Sequence, residues 1–137
     1  MKRILLIEDN PDNLRLVQML LVPLKVDLRI AQNGPAGIAA AQAETFDLIL
    51  LDIQLPGMDG YAVARALRAL PRMDWVPVVA VTSYAMVGDR EKALEGGFTG
   101  YLEKPLDPGT FAETIQTYLL PAGKTVSACD NSTEERT

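Results

Sequence analysis

Three stretches of the chain are apolar with little or no interruption: Ile4 to Ile7, Leu48 to Leu51, and Val76 to Val81 with Pro77 inside it. Runs of this length suit strands buried on both faces, as in a parallel sheet covered by helices. Two weaker strand candidates accompany them. Residues 26–31 (VDLRIA) alternate apolar and polar, and residues 99–103 (TGYLE) are short and mixed. Such segments belong at the edges of a sheet, where one side is wetter.

Helical patterns lie between the strands. Residues 11–22 place Leu14, Val17, Leu20 and Leu21 on one face, behind Asn10 as a cap and Pro11 as a first helical residue. Residues 34–43 are rich in alanine. Residues 60–70 carry Val63, Leu67 and Leu70 after Asp59, a good N-cap. Residues 87–95 are short and charged and stop at Gly96-Gly97. Residues 108–119 carry Phe111, Ile115, Tyr118 and Leu119 after Asp107 and Pro108. Strand and helix thus alternate five times. That alternation predicts an α/β fold with a five-stranded parallel sheet, helices on both faces and right-handed crossovers. Placing the two weak strands at the edges gives the order 2-1-3-4-5, the flavodoxin-like arrangement. The folded domain is expected over residues 1–120. Residues 121–137, poor in apolar side chains, are expected to form a disordered tail.

Charge narrows the function. Thirteen Lys and Arg against eighteen Asp and Glu give a net charge of −5 in 137 residues. An acidic surface argues against nucleic-acid and membrane-surface binding, both of which need basic patches. No apolar run reaches membrane-spanning length and no signal pattern opens the chain, so a cytoplasmic location is expected. There is no histidine and a single cysteine, Cys129. This excludes an imidazole base, a Ser-His-Asp triad, histidine metal ligands and a disulfide within the chain. Any chemistry falls to carboxylates, lysine, hydroxyls, backbone groups or a hard metal ion. Gly123-Lys124-Thr125 resembles the end of a phosphate-binding loop, but the upstream glycine that motif requires falls at Tyr118.

In an open parallel sheet, ligands bind at the carboxyl ends of the strands where the order reverses, here between the first and third. The first strand leads into Glu8-Asp9, the third into Asp52, the fourth into Thr82-Ser83 and the fifth into Glu103-Lys104-Pro105. Carboxylates gathered in one place repel each other unless a cation relieves them, and an all-oxygen donor set suits Mg²⁺. Asp9 and Asp52 would hold the ion, Lys104 adds a fixed positive charge, and Thr82 adds a hydroxyl donor. That set suits attack of Asp52 on phosphorus, with the phosphate oxygens neutralised around it. An ionised carboxylate needs no base for such an attack. Taken singly, each residue has a plainer use. Glu8 and Asp9 suit a helix N-terminus, Thr82 a strand, Lys104 a solvated surface and Tyr101 ordinary packing. Asp59 reads as a helix cap only.

The joint pattern resembles the two-component response regulator receiver domain over roughly residues 1–120. "LLIEDN" matches the family's acidic pair at Glu8 and Asp9, and "LLDIQLPGMDG" its phospho-acceptor segment at Asp52. Thr82 matches the switch hydroxyl, Tyr101 the switch aromatic, and Lys104-Pro105 the lysine with its following proline, a bond that is cis in the family. The resemblance implies that Asp52 accepts a phosphoryl group from a sensor histidine kinase or a phosphotransfer protein. It implies Mg²⁺ on Asp9, Asp52 and the backbone carbonyl of Gln54, with Glu8 acting through water. It implies that Lys104 contacts the phosphoryl oxygens, that Thr82 moves toward them and that Tyr101 turns inward. The face built from the fourth helix, fifth strand and fifth helix would then bind a downstream protein, from a monomer or a weak homodimer. Tyr84 becomes a candidate gate on water. The protein is expected to be a signalling switch that catalyses only its own phosphorylation and dephosphorylation. Two alternatives stand beside this: a receiver fragment of a larger regulator or hybrid kinase, and a Mg²⁺-dependent phosphohydrolase with an aspartate nucleophile. Such hydrolases usually carry a second carboxylate two residues after the nucleophile, where this chain has Gln54.

Overall fold

The computed structural model describes residues 2–53, 59–71, 73, 76–82, 89–103 and 107–119. Five strands, β1 (Arg3–Ile7), β2 (Asp27–Ala31), β3 (Leu48–Asp52), β4 (Val78–Thr82) and β5 (Gly100–Glu103), form one sheet. All pairings are parallel and the order is β2-β1-β3-β4-β5, as the placement of the weak strands predicts. The helices are α1 (Pro11–Leu21), α2 (Gly34–Ala43), α3 (Gly60–Arg68), α4 (Asp89–Glu95) and α5 (Pro108–Leu119). No described helix is long and apolar enough to cross a membrane.

Strand alternation sorts the core into two layers. Leu5, Ile7, Ile49, Leu51, Val78 and Ala80 pack with Val63, Ala64 and Leu67 of α3, and Ile38 of α2 packs against that layer. Ile4, Leu6, Leu48, Leu50, Val79 and Val81 pack with Leu14, Val17 and Leu21 of α1 and with Phe111 and Ile115 of α5. Every residue of β3 is buried, which is why that run contains no polar residue before Asp52. The edge strand β2 exposes Arg29 and Ile30. Ion pairs of Arg3 with Asp27 and Glu44, and of Arg29 with the same two acids, span 2.9 to 3.8 Å. Half-exposed pairs of this kind contribute about 0–1 kcal/mol each. Their larger effect is to keep the open edge charged.

The helix ends follow their capping residues. The side chain of Asn10 accepts from the N–H groups of Asp12 and Asn13, Asn33 from Ala36, and Asp59 from Tyr61. Gly97, at φ +105°, closes α4 as the glycine pair predicts. The pattern-based range 11–22 is one residue too long for α1. Pro23 has no N–H to continue the helix, so Val22–Leu24 tighten into a 3₁₀ turn and Lys25 reverses the chain at φ 53°, ψ 51°. The third helix stops at Arg68 rather than residue 70, and β4 begins at Val78, after Pro77. The tail after residue 120 lies outside the described residues.

Arg68 fastens the amino-terminal end of the sheet. Its guanidinium donates to the carbonyls of Gly97 (2.9 Å), Met73 (2.6 Å) and Val76 (2.7 Å) and to the Thr99 hydroxyl (2.9 Å). That hydroxyl also accepts the N–H of Val78 at 3.1 Å. One side chain therefore joins the end of α3 to the starts of β4 and β5.

Two outcomes follow from the caps and turns. Left-handed backbone costs a residue other than glycine about 1–2 kcal/mol, part of which glycine returns through its freer unfolded chain. Lys25→Gly is therefore expected to raise stability by about 0.5–1 kcal/mol in urea unfolding. Asp107 accepts the backbone N–H of Thr110 at 2.9 Å at the start of α5. That bond first, and a bond from the Thr110 side chain second, hold its carboxyl below its ordinary pKa. A carboxyl lowered by folding stabilises fully above its unfolded value, and the gain is lost as pH falls through the lowered one. Asp107→Asn should remove this acid-side component from the pH dependence of the melting temperature; an unchanged profile would count against it.

Candidate functional site

The first site segment begins where β1 ends. The N–H of Glu8 donates to the carbonyl of Ala31 at 3.0 Å, which carries the β1–β2 pairing one residue further. Glu8 is 2% exposed, whereas its neighbour Asp9 is exposed. The chain then turns sharply. The N–H of Asn10 points back to Oε2 of Glu8 at 3.3 Å while its side chain caps α1.

Asp52 stands one step beyond Leu51, which is level with Ile7. Its own partner across the sheet is Val81. It is 5% exposed. By strand alternation it falls on the α1–α5 side with Leu48 and Leu50, the side that Glu8 shares with Ile4 and Leu6. The next residue, Ile53, donates its N–H to the carbonyl of Val81 at 3.2 Å, and its own carbonyl accepts from Gly60 at 3.1 Å. Gly60 sits so close that a Cβ there would lie 2.5 Å from Cα of Ile53. Only glycine permits this approach of the start of α3 to the residue after β3.

Carboxylate oxygens of Glu8, Asp9 and Asp52 lie within 4.8 Å of one another. This trio comes from the ends of two adjacent buried strands, as the strand order predicts. Thr82, 2% exposed, ends β4 opposite Glu103. Alternation puts it on the α3 side, with Val78 and Ala80. Tyr101 is level with Ala80 and is buried in that same layer. The two residues singled out as a switch pair thus share one face of adjacent strands. Gln54, Ser83, Tyr84, Lys104 and Pro105, and with them the expected metal carbonyl, the lysine and its proline bond, lie outside the described residues. Asp59 caps α3 at 3.0 Å and is not among the clustered acids, consistent with its reading as a cap.

Two features were not read from the sequence. Asn10 suggests a cap, but its backbone bond to Glu8 depends on the angle of the turn. Arg68 suggests a solvated helix end, and only packing brings its acceptors within reach. Neither leaves a signal in local periodicity.

The donor set fits a hard divalent cation. Its candidate ligands are all oxygen, they converge, and two of the three carboxyl groups are buried.

Comparison with known proteins agrees with this arrangement. The family profile described as "Response regulator receiver domain" matches residues 4–116. The polar-differentiation response regulator DivK of Brucella anthropi is 36% identical over 118 residues, which cover 86% of this chain and 96% of DivK. The sensor protein GacS of Pseudomonas syringae pv. syringae is 38% identical over 116 residues, 82% of this chain but 13% of GacS. The receiver domain of the sensor histidine kinase PA1611 from Pseudomonas aeruginosa, solved with magnesium in its active-site cleft, superposes with a TM-score of 0.79. It is 34% identical, over 86% of this chain and 97% of that domain. The chain belongs to the response regulator receiver domain family, the phosphorylation-activated signalling switches of two-component phosphorelays. It spans a small part, 13% and 11%, of the sensor-kinase relatives GacS and BarA.

The close approach of Gly60 to Ile53 makes a further outcome specific. Gly60→Ala forces the start of α3 away from the end of β3 and should cost about 1–3 kcal/mol in urea unfolding. An unchanged midpoint would show that the two ends separate freely.

Proposed function

We propose that Asp52 is the phosphoryl acceptor of this receiver and that Glu8, Asp9 and Thr82 prepare it. The observation that carries this reading is the trio of converging carboxylates, with Asp52 at the end of a strand buried along its whole length. An ionised Oδ of Asp52 attacks the phosphorus of a phosphohistidine on a sensor histidine kinase or phosphotransfer protein. The P–O bond to Asp52 forms as the P–N bond breaks. The imidazole leaves with the bonding pair and takes up a proton. Asp52 becomes an acyl phosphate, and water later attacks it, releasing inorganic phosphate and restoring the carboxylate. A stiff strand end holds the nucleophile in line, which is the main demand of phosphoryl transfer.

Asp9, Asp52 and the carbonyl of Gln54, with Glu8 acting through water, would hold Mg²⁺, which would supply positive charge to the phosphoryl oxygens. Lys104 supplies a second positive charge. Thr82 turns its hydroxyl to the new phosphate, and Tyr101, on the same face, follows it inward. That movement is read out on the surface of α4, β5 and α5 by a downstream protein, from a monomer or weak homodimer in the cytoplasm. The protein catalyses only its own phosphorylation and dephosphorylation. A second reading is supported by GacS, BarA and PA1611, in which a similar domain belongs to a histidine kinase: this receiver takes its phosphoryl group within such a kinase.

A small-molecule phosphodonor with Mg²⁺ should add one acid-labile phosphoryl group, seen by intact mass. Asp52→Asn should abolish it, and EDTA should slow it by about a hundredfold or more. Equal labelling of Asp52→Asn would overturn the acceptor assignment, and indifference to EDTA would overturn the metal.

A further inference from the structure

We propose that Asn10 is a positioning residue for the acidic trio and sets how tightly the chain binds a divalent cation. The inference rests on the Mg²⁺ reading above and goes beyond the ligands themselves. Glu8, Asp9 and Asn10 form a turn closed by a side chain: the Asn10 N–H donates to Oε2 of Glu8 at 3.3 Å. The Glu8 main chain is anchored separately, through its N–H to Ala31 at 3.0 Å. The exposed Asp9 lies between these two fixed points, and its carboxylate is brought to within 4.8 Å of those of Glu8 and Asp52.

What holds the turn is the rest of Asn10. Its backbone is extended, at φ −81° and ψ 120°, and its Oδ1 accepts from Asp12 at 2.8 Å and Asn13 at 3.2 Å. Its carbonyl accepts the N–H of Leu14 at 3.0 Å, and Leu14 is buried in the core. The residue is therefore tied on its carboxyl side to a packed helix, and that tie aims its N–H at Glu8. This N–H gives Oε2 of the buried Glu8 a donor whose position is set by the start of α1. Outer partners of this kind orient metal-binding carboxylates, and their removal typically weakens metal binding by about tenfold or more.

A cap and a positioning residue separate by substitution. Glycine is nearly as good an N-cap as asparagine, but it frees the backbone of the turn. Serine keeps both the cap and a restricted backbone. The experiment is calorimetric titration of Mg²⁺ into the full chain, with melting temperatures of the metal-free samples alongside. Asn10→Gly and Asn10→Ala should raise the Mg²⁺ Kd roughly tenfold, and Asn10→Ser should stay within about twofold of the parent. Weaker Mg²⁺ binding by the glycine variant with little loss in Tm is the result expected of positioning. An unchanged Kd in the glycine and alanine variants, with only the Tm of the alanine variant lowered, would reduce Asn10 to a cap and overturn the inference alone. A serine variant as weak as alanine would also overturn it. If the parent chain itself binds no Mg²⁺, the metal reading falls and this inference with it.

Discussion

The structure depends on one constraint: its central strand is buried on both faces along its whole length. A charged group has no place within such a strand, because burial without a partner costs more than the packing there returns. Charge is admitted only at the end, where the helical layers part. Because β1, β3 and β4 run parallel, their ends open at one edge, and the polar residues that follow them meet there. The cluster of Glu8, Asp9 and Asp52 is thus a consequence of the sheet as much as a feature placed upon it. The burial of Asp52 and its closeness to Glu8 and Asp9 have the same origin.

The two ends of the sheet are built on different chemistry. At the carboxyl end, the carboxyl groups of Glu8, Asp9 and Asp52 gather. At the amino end, Arg68 gathers four oxygen acceptors, and Arg3 and Arg29 share two carboxylates. Helix α3 joins these ends. It starts at Gly60 against the residue after Asp52 and finishes in the arginine that fastens β4 and β5. One helix thus touches both the strand that ends in Asp52 and the strands that carry Thr82 and Tyr101. The T-shaped contact of Tyr61 with Phe98, 5.8 Å between centroids, and Lys92 4.8 Å above the Tyr61 ring extend that connection to α4.

Much of this was legible in the order of residues. Three apolar runs, two mixed ones and five amphipathic or capped segments determined the class of fold, and edge strands weaker than central ones determined their order. Once the strands are parallel and ordered, Glu8, Asp9, Asp52 and Thr82 must come to one edge, because each ends a strand or follows its end. The side on which each lies also follows, from strand alternation. These inferences hold because hydrophobic periodicity and strand direction are local properties carried by consecutive residues.

Tertiary structure alone decided the rest. Arg68 looks like any cation at a helix end until packing brings Met73, Val76, Gly97 and Thr99 around it. Asn10 looks like a cap until the turn aims its N–H at Glu8. The 3₁₀ turn at Pro23 and the left-handed Lys25 arise where a helix must end in time for β2 to pair with β1. In each case the outcome rests on a hydrogen bond or a chain reversal whose geometry is set by packed elements. The sequence by itself determined which residues meet at the edge of the sheet. Distance, orientation and shared partners came only with packing, because directional bonds depend on atoms that periodicity does not encode.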